Sequence, residues 1–326
     1  MNNHSHQPKQ PSKRLAVAPF FLKEKIAAFA TDQLTFDDCR FTGPLLEDDH
    51  LKTMQDWLRH GGQGDMIYLK EHLKFKSDPQ SLLPGVKSAI VVIKNYKNTP
   101  ARQIKYKLKI ARYAVGKDYH IVMKERLEAL ADFIKAEDPS VKCYCGVDSR
   151  PIAERSLALK AGIGFRGKNT MVIKPGLGSY FFIGVILTTH AFASDQPLKW
   201  DCGQCRLCLD ACPTGALTGP FTLKATQCIS YMTIEQKAAL TPEQLKKTGG
   251  WLFGCDVCQE VCPYNHDQTP LTDWIEFQPT SGVGFDFFKN NDPATADDKI
   301  PKTTPLYRSR KRIIPNWKLA RGVDNK

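Results

Sequence analysis

The sequence lacks any apolar run long enough to cross a bilayer. Its longest, Tyr180 to Leu187, stops far short of the roughly 20 residues a spanning helix needs. It lacks the apolar core of a secretory signal: Met1 to Lys13 is polar and His-rich, and Lys13-Arg14 is no twin-arginine motif. No Gly-Lys-Ser/Thr follows the loose turn Gly61-Gly62-Gln63-Gly64, so that turn is not a phosphate loop. Acid is scarce against base. Lys+Arg number 46 and Asp+Glu 34, a net +12, with a pI near 9.1. That balance suits an anionic partner, nucleic acid being the commonest, although a generally basic surface is the bland alternative. Hydrophobic content of 42% is ordinary, and 326 residues hold one large domain plus a small one. The expectation is a soluble cytoplasmic protein that does not enter a membrane.

Cysteine is what the chain has in quantity, 11 residues. Cys202, Cys205, Cys208 and Cys212 stand at C-x2-C-x2-C-x3-C, with Pro213 after the last. This is the bacterial ferredoxin run, in which three close thiolates hold one [4Fe–4S] cube and the fourth goes to a second cube. Cys255, Cys258, Cys262 and Pro263 repeat the last three cysteines and the proline. Cys228, displaced upstream by an insertion, best fills the missing first position. The spacing therefore assigns Cys202, Cys205, Cys208 and Cys262 to one cluster, and Cys212, Cys228, Cys255 and Cys258 to the other. Zinc usually wants C-x2-C pairs and explains neither the run nor its partial repeat. Cys39, Cys143 and Cys145 are left over. Free thiols beside clusters favour a reducing compartment, and Cys143 and Cys145 read as small buried thiols on one strand face.

Residues 1–17 read as a flexible arm. Pro19 to Ala30 and Asp48 to His60 have helical spacing, the second ending at Gly61-Gly62. Ser88 to Tyr96 reads as a buried strand, and His120 to Lys135 as a helix with Val122, Leu127, Leu130, Ala131 and Ile134 inside. Val141 to Val147 is the next strand. Pro151 then fits the first turn of a helix, with Asp148 or Ser149 as its cap. Pro175-Gly176-Leu177-Gly178 reads as a hairpin turn joining Met171 to Ile173 with Ser179 to Thr188. Lys105, Lys107, Lys109 and Arg112, interleaved with Tyr106 and Tyr113, read as a solvated helix face or an RNA-contacting loop. The alternation makes 18–198 an α/β (α+β) domain. A ferredoxin-like double [4Fe–4S] module follows over 199–270, then an extension, 271–326. From Pro301 onward eight Lys or Arg residues face one acid. That excess argues for phosphate contacts, a solubilising tail being the alternative.

A double cluster module alone would be an electron carrier; behind so large a domain, it more naturally feeds a cofactor held there. The segments Gly146-Val-Asp148-Ser-Arg-Pro-Ile-Ala-Glu154-Arg155, Ala161-Gly-Ile-Gly-Phe-Arg-Gly-Lys-Asn169-Thr170 and Gly178-Ser-Tyr-Phe-Phe-Ile-Gly184 resemble the epoxyqueuosine reductase family. So do Ser77-Asp78-Pro79, Leu83-Pro84-Gly85, Ala111 to His120 and Cys228 to Glu235. The resemblance spans about residues 20 to 265. It implies a cobalamin between the α/β domain and the clusters. It implies reduction of epoxyqueuosine to queuosine at the wobble position of tRNA, the last step of queuosine synthesis, in tRNAs for Asp, Asn, His and Tyr. It implies Asp148 as the acid, with burial beside the corrin raising its pKa against the pull of a helix N-terminus. Asn169, Thr170, Ser230 and Asp256 fall at implied cofactor-binding positions. His120 is not implied as a cobalt ligand, since Met123 stands where a D-x-H-x-x-G pattern would have glycine. The likeness is to a short form without the family's C-terminal helical-repeat domain, so the grip on tRNA would fall to the basic extension. A monomer fed by an unidentified electron donor is expected. The alternatives are a reductive dehalogenase-like enzyme, which usually carries a twin-arginine signal, and a ferredoxin-type electron carrier, which leaves the large domain unexplained.

Overall fold

The computed structural model describes residues 19–98, 108–266, 268–279 and 291–324. The arm over 1–17 and the trio Lys105, Tyr106 and Lys107 lie outside them. The strands are β1 Asp38–Thr42, β2 Ser88–Asn95, β3 Lys109–Ile110, β4 Cys143–Gly146, β5 Phe165–Arg166, β6 Val172–Ile173, β7 Phe181–Thr188, β8 Leu217–Gly219, β9 Thr222–Leu223 and β10 Trp251–Phe253. The α-helices are α1 Pro19–Ala28, α2 Asp48–Arg59, α3 Tyr68–Ser77, α4 Tyr119–Glu137, α5 Glu154–Lys160, α6 Leu207–Asp210, α7 Ile229–Ile234, α8 Pro242–Lys247, α9 Val257–Glu260, α10 Pro305–Arg308 and α11 Arg310–Asp324. Among the described residues no helix is long and apolar enough to cross a membrane.

The central sheet runs β1-β2-β7-β4, with every pairing antiparallel. β2 is buried at every position because helices cover both faces of the sheet. Ile90 and Val92 meet Ile26 of α1 and Leu127, Leu130 and Ile134 of α4. Ala89, Val91 and Ile93 point the other way, to Leu157 and Ala158 of α5, as the two-residue period requires. A strand covered on both faces reads as one apolar run whatever its direction, so the run reported burial and not pairing. The hairpin turn forms, with Gly178 N donating to Lys174 O at 2.8 Å. Its strands, however, do not pair with each other: β6 pairs with β5, and β7 lies between β2 and β4. The turn instead docks the cysteine module. Gly178 has φ +83, and a Cβ there would come within 2.0 Å of Asn265 Oδ1. That oxygen accepts Ser179 N at 2.7 Å, while Asn265 Nδ2 donates to Ser179 Oγ at 2.9 Å.

Two further expectations are corrected. Pro151 does not open a helix. α5 begins at Glu154, and Ala153 before it makes no side-chain cap, so neither Asp148 nor Ser149 is a cap. Arg112 lies neither on a solvated face nor on an RNA loop. It is 6% exposed, donates to Asn98 O at 2.9 Å, and lies over the Tyr180 ring at 5.4 Å, where its flat guanidinium can be buried.

The described parts of the extension, 271–279 and 291–324, are packed into cores. Trp274 and Phe277 belong to the main core with Tyr96 and Phe182, and buried Lys94 reaches Asp273 while lying over the Trp274 ring. Leu306, Ile313 and Trp317 are fully buried in a second core with Leu245 of α8, Leu252 and Phe253 of β10, and Ile110 of β3. Ile313, Trp317 and Ala320 form an apolar stripe at helical spacing. Lys318 within it and the basic residues on either side obscure it in the sequence.

Candidate active site and cysteine clusters

β4 ends at Gly146, and two residues later Asp148 turns the chain at φ +47. A non-glycine residue rarely holds that conformation, though Asp and Asn tolerate it best. The turn lifts the carboxylate off the sheet toward the start of α4. Tyr119 Oη donates to Asp148 Oδ2 at 2.5 Å, and His120 Nε2 lies 3.2 Å from the same oxygen. On its far side His120 Nδ1 is 2.6 Å from Asp118 Oδ1. Asp118 caps α4 through the His120 amide. It is buried, 3% exposed, and faces Arg308 of α10 at 3.4 Å, while its amide donates to Thr303 O at 2.6 Å. The order Asp118, His120, Asp148, with Tyr119 alongside, forms a continuous hydrogen-bonded chain.

Burial pushes the Asp148 carboxyl up, but hydrogen bonds from His120 and Tyr119 and the charges of His120 and Arg155 outweigh it, leaving the group below its usual range. The expected elevation is therefore reversed. Burial likewise pushes His120 down, yet its bonds to Asp118 and Asp148 hold the imidazole above its usual range. The chain keeps its proton on His120, with carboxylates on both sides.

Asp148 is accessible yet crowded, the combination that the wall of a concavity gives. Its side chain is 64% accessible, although desolvation is still the largest influence on it. Tyr68 is 45% exposed and burial still pushes its phenol up to about 12. The field of Asp148 also reaches Lys76, Tyr113, Glu154 and Glu235. Glu154 has a buried Oε1 with no partner, and burial pushes its carboxyl up to about 8. Lys76 and Tyr68 carried no sequence signal of their own, and Glu235 only the end of the family-like segment Cys228 to Glu235. Of the four residues at implied cofactor positions, Thr170 faces this side at φ +70, its carbonyl accepting Arg155 at 3.4 Å. Ser230 is half-buried at the start of α7. Asn169 is buried and donates to Cys258 O at 3.2 Å. Asp256 is 2% exposed, with Oδ2 accepting the Arg112 amide at 2.8 Å. Asn169 and Asp256 thus act on backbone behind the concavity.

All eleven cysteines are free. Cys202, Cys205, Cys208 and Cys262 line one small cavity with Lys168, Asn169 and Leu207. Cys255 feels the charges of Cys228 and Cys212, and Cys258 those of Cys255 and Cys228, so the other four form a second set. Among the described residues no three His, Cys, Asp or Glu side chains converge tightly enough for a single metal ion; the first four thiols ring a cavity rather than a point. Burial pushes Cys255 to about 12 and Cys262 to about 11, so binding iron must displace protons. Backbone amides already aim at the sulfurs: Ser230 and Tyr231 at Cys228, and Leu217, Thr214 and Ala216 at Cys212. Such N–H···S bonds are part of how proteins hold and tune these cubes, so the residues fit the clusters.

The family model described as 4Fe-4S double cluster binding domain matches residues 201–265. The model described as Epoxyqueuosine reductase QueG, DUF1730, matches residues 76–149. The epoxyqueuosine reductase of Prochlorococcus marinus (strain NATL2A) is 35% identical over 274 residues, 84% of this chain and 86% of that protein. The chain belongs to the epoxyqueuosine reductase family. A second member, from Leadbetterella byssophila, is 38% identical over 77% of this chain and 82% of its own. Family membership makes the chain an oxidoreductase with a double [4Fe–4S] module. A crystal structure of epoxyqueuosine reductase with a tRNA-TYR epoxyqueuosine-modified tRNA stem loop matches at TM-score 0.82 and 30% identity, over 93% of this chain and 81% of that one. A Bacillus subtilis epoxyqueuosine reductase, with an aspartate catalytic loop swung out of the active site, matches at TM-score 0.79 and 29% identity, over 93% and 82%.

Proposed function

We propose that this chain reduces epoxyqueuosine in tRNA to queuosine, with Asp148 at the reacting centre. The family supports the reaction. The observation that carries the residue assignment is the single carboxylate oxygen of Asp148 meeting both Tyr119 and His120 on the wall of the concavity. Removing an epoxide oxygen breaks two C–O bonds, forms a C=C bond, consumes two electrons and two protons and releases water. A cobalamin in the concavity would supply a strong nucleophile, and the clusters, held by Cys202, Cys205, Cys208, Cys262 and by Cys212, Cys228, Cys255, Cys258, would supply electrons singly. The accessible yet desolvated wall and the unpartnered Glu154 oxygen fit a bulky polar guest. Thr170 and Ser230 would meet that guest, and Asn169 and Asp256 would hold the backbone behind it.

The protein's own part is proton handling. His120 stores a proton between two carboxylates, Asp148 Oδ2 relays it to the departing oxygen, and Asp118 fixes the imidazole from the other side. We divide the chain into a catalytic domain, 18–198, a cluster module, 199–270, and an extension, 271–326, whose described residues pack into the main core and a second core. Exposed Lys311 and Lys318 on α11 suit phosphate contacts. The substrates would be tRNAs for Asp, Asn, His and Tyr, the protein a cytoplasmic monomer. The test is nucleoside mass spectrometry of epoxyqueuosine-bearing tRNA treated with the reconstituted, chemically reduced protein. Queuosine should replace epoxyqueuosine. Unchanged epoxyqueuosine, with iron and corrinoid fully loaded, would overturn the reading.

A further inference from the structure

The cavity of Cys202, Cys205, Cys208 and Cys262 lies just under the surface. Leu207 lines it and is itself 51% exposed. Trp200 and Phe221 are 53% and 41% exposed. Trp200 stands two residues before Cys202, the first of the cysteine run. Phe221 reaches the same place through Lys168, whose carbonyl accepts the Phe221 amide at 3.1 Å. Lys168 Nζ in turn donates to Gly203 O at 2.6 Å and Cys205 O at 2.9 Å. Phe221 sits in the β8–β9 turn at φ +63, where glycine would cost nothing and an L-residue about 1–2 kcal/mol. Its ring joins none of the buried cores. Arg166 lies over that ring at 5.5 Å and donates to its carbonyl at 3.1 Å. Arg166 and Lys168 bond carbonyls rather than carboxylates here, so the rim keeps its positive charge. The other four thiols are half-buried. Cys255 and Cys228 pack beside Tyr113, which feels Asp148, so that set adjoins the concavity and the Leu207 set adjoins solvent.

We propose that Leu207, Phe221 and Trp200, rimmed by Arg166 and Lys168, form the docking face for a small acidic protein that carries one electron. The inference rests on the two-cluster reading above and supplies its missing entry point. Each docking oxidises the carrier by one electron and delivers that electron to the adjacent cysteine-held centre; two dockings supply the two electrons the epoxide consumes. An apolar centre with a charged rim, far smaller than a permanent interface, suits a redox encounter below about 1,200 Å². The same cations would attract RNA. One observation favours protein: Leu207, which offers no stacking surface, lines the cysteine cavity and is itself exposed.

The test uses the reconstituted protein and two probes, a reduced plant-type [2Fe–2S] ferredoxin and a flavodoxin hydroquinone, both acidic. Stopped-flow bleaching of the visible iron–sulfur band reads electron entry, and calorimetry at low and moderate salt reads affinity. Leu207→Glu and Phe221→Glu should each weaken carrier affinity at least tenfold and slow bleaching in proportion. Bleaching by dithionite, iron content and affinity for a tRNA stem loop should stay at parent values. Ile275→Glu, at a position 77% exposed outside this face, should change nothing. Parent-like carrier affinity in both variants, or a parent protein that neither carrier binds in a salt-sensitive way, overturns the proposal. Loss of stem-loop affinity with carrier binding intact overturns it in favour of an RNA surface. Absence of queuosine formation with these docking results intact would count against the catalytic reading alone.

Discussion

Asp148→Asn separates the charge of this residue from its shape. Asn is among the few residues at ease at φ +47, so the turn after β4 should keep its path. Its amide oxygen can still accept Tyr119 Oη, now 2.5 Å from Oδ2. What disappears is the negative charge 3.2 Å from His120 Nε2. The imidazole then loses one of the two carboxylates that keep it charged, and the relay loses the oxygen that carries a proton. Loss of a general acid typically costs about 10²–10⁴ in rate, or roughly 3–5 kcal/mol of barrier. Stability should move by about 1 kcal/mol or less, because the side chain is largely accessible and exposed ion pairs contribute little. A capping role would predict near-normal turnover, since Asn caps as well as Asp, but Asp148 caps no helix. The assay is queuosine formed per enzyme by nucleoside mass spectrometry, with iron, corrinoid and thermal unfolding measured on the same sample. Turnover within a few-fold of the parent, with both cofactors loaded, would refute the assignment.

The bonds of His120 to Asp118 and Asp148 hold its imidazole above its usual range, so the charged form persists below the folded pKa and is lost as pH rises through it. Queuosine formation should fall on the alkaline side, above the ordinary imidazole value of about 6.5; His120→Asn should abolish that limb, whereas Glu154→Gln should keep it, and a limb that vanishes with Glu154 would assign it to the carboxyl held near 8. Trp317→Ala should cost about 3–5 kcal/mol, because Trp317 is fully buried; chemical denaturation will show it, and a loss under 1 kcal/mol would contradict the packing described. Truncation after Thr304 also removes buried Leu306 and Ile313, an amount comparable to the whole stability of a domain, so a soluble truncated chain with full iron would contradict it as well. Cys228→Ala should lower iron content while Cys143→Ala and Cys145→Ala leave it unchanged, as elemental analysis can decide.

The cysteine sets are proposed from spacing because cluster ligation depends on it, and Cys228 because it completes a count. Asp148 was proposed from a local motif. Its partners were not, since Tyr119 and His120 belong to a helix whose start meets the β4 turn only in three dimensions. Pro151 misled because proline after Asp-Ser-Arg resembles a first helical turn, whereas the positive φ at Asp148 delays α5 to Glu154. The turn at Gly178 was legible, but strand pairing is a long-range choice that no turn residue encodes. The packing of the extension was hidden for a different reason: buried Leu306, Ile313 and Trp317 stand among basic residues that dominate the composition there.

The hold of Thr303 and Arg308 on Asp118 sets an order of events on the ribosome. Domains fold as they emerge, N-terminal parts first. The sheet, α4 and Asp148 are all translated well before residue 303. Until the last helices leave the exit tunnel, Asp118 has no arginine beside it and the second core lacks Trp317. A chain stalled near residue 300 would carry every cluster cysteine and the reacting carboxylate, and would still be unfinished at the site. Completion of the active site therefore waits for residues 303 to 317, and a nascent chain that meets iron or corrinoid earlier meets an unbuttressed histidine.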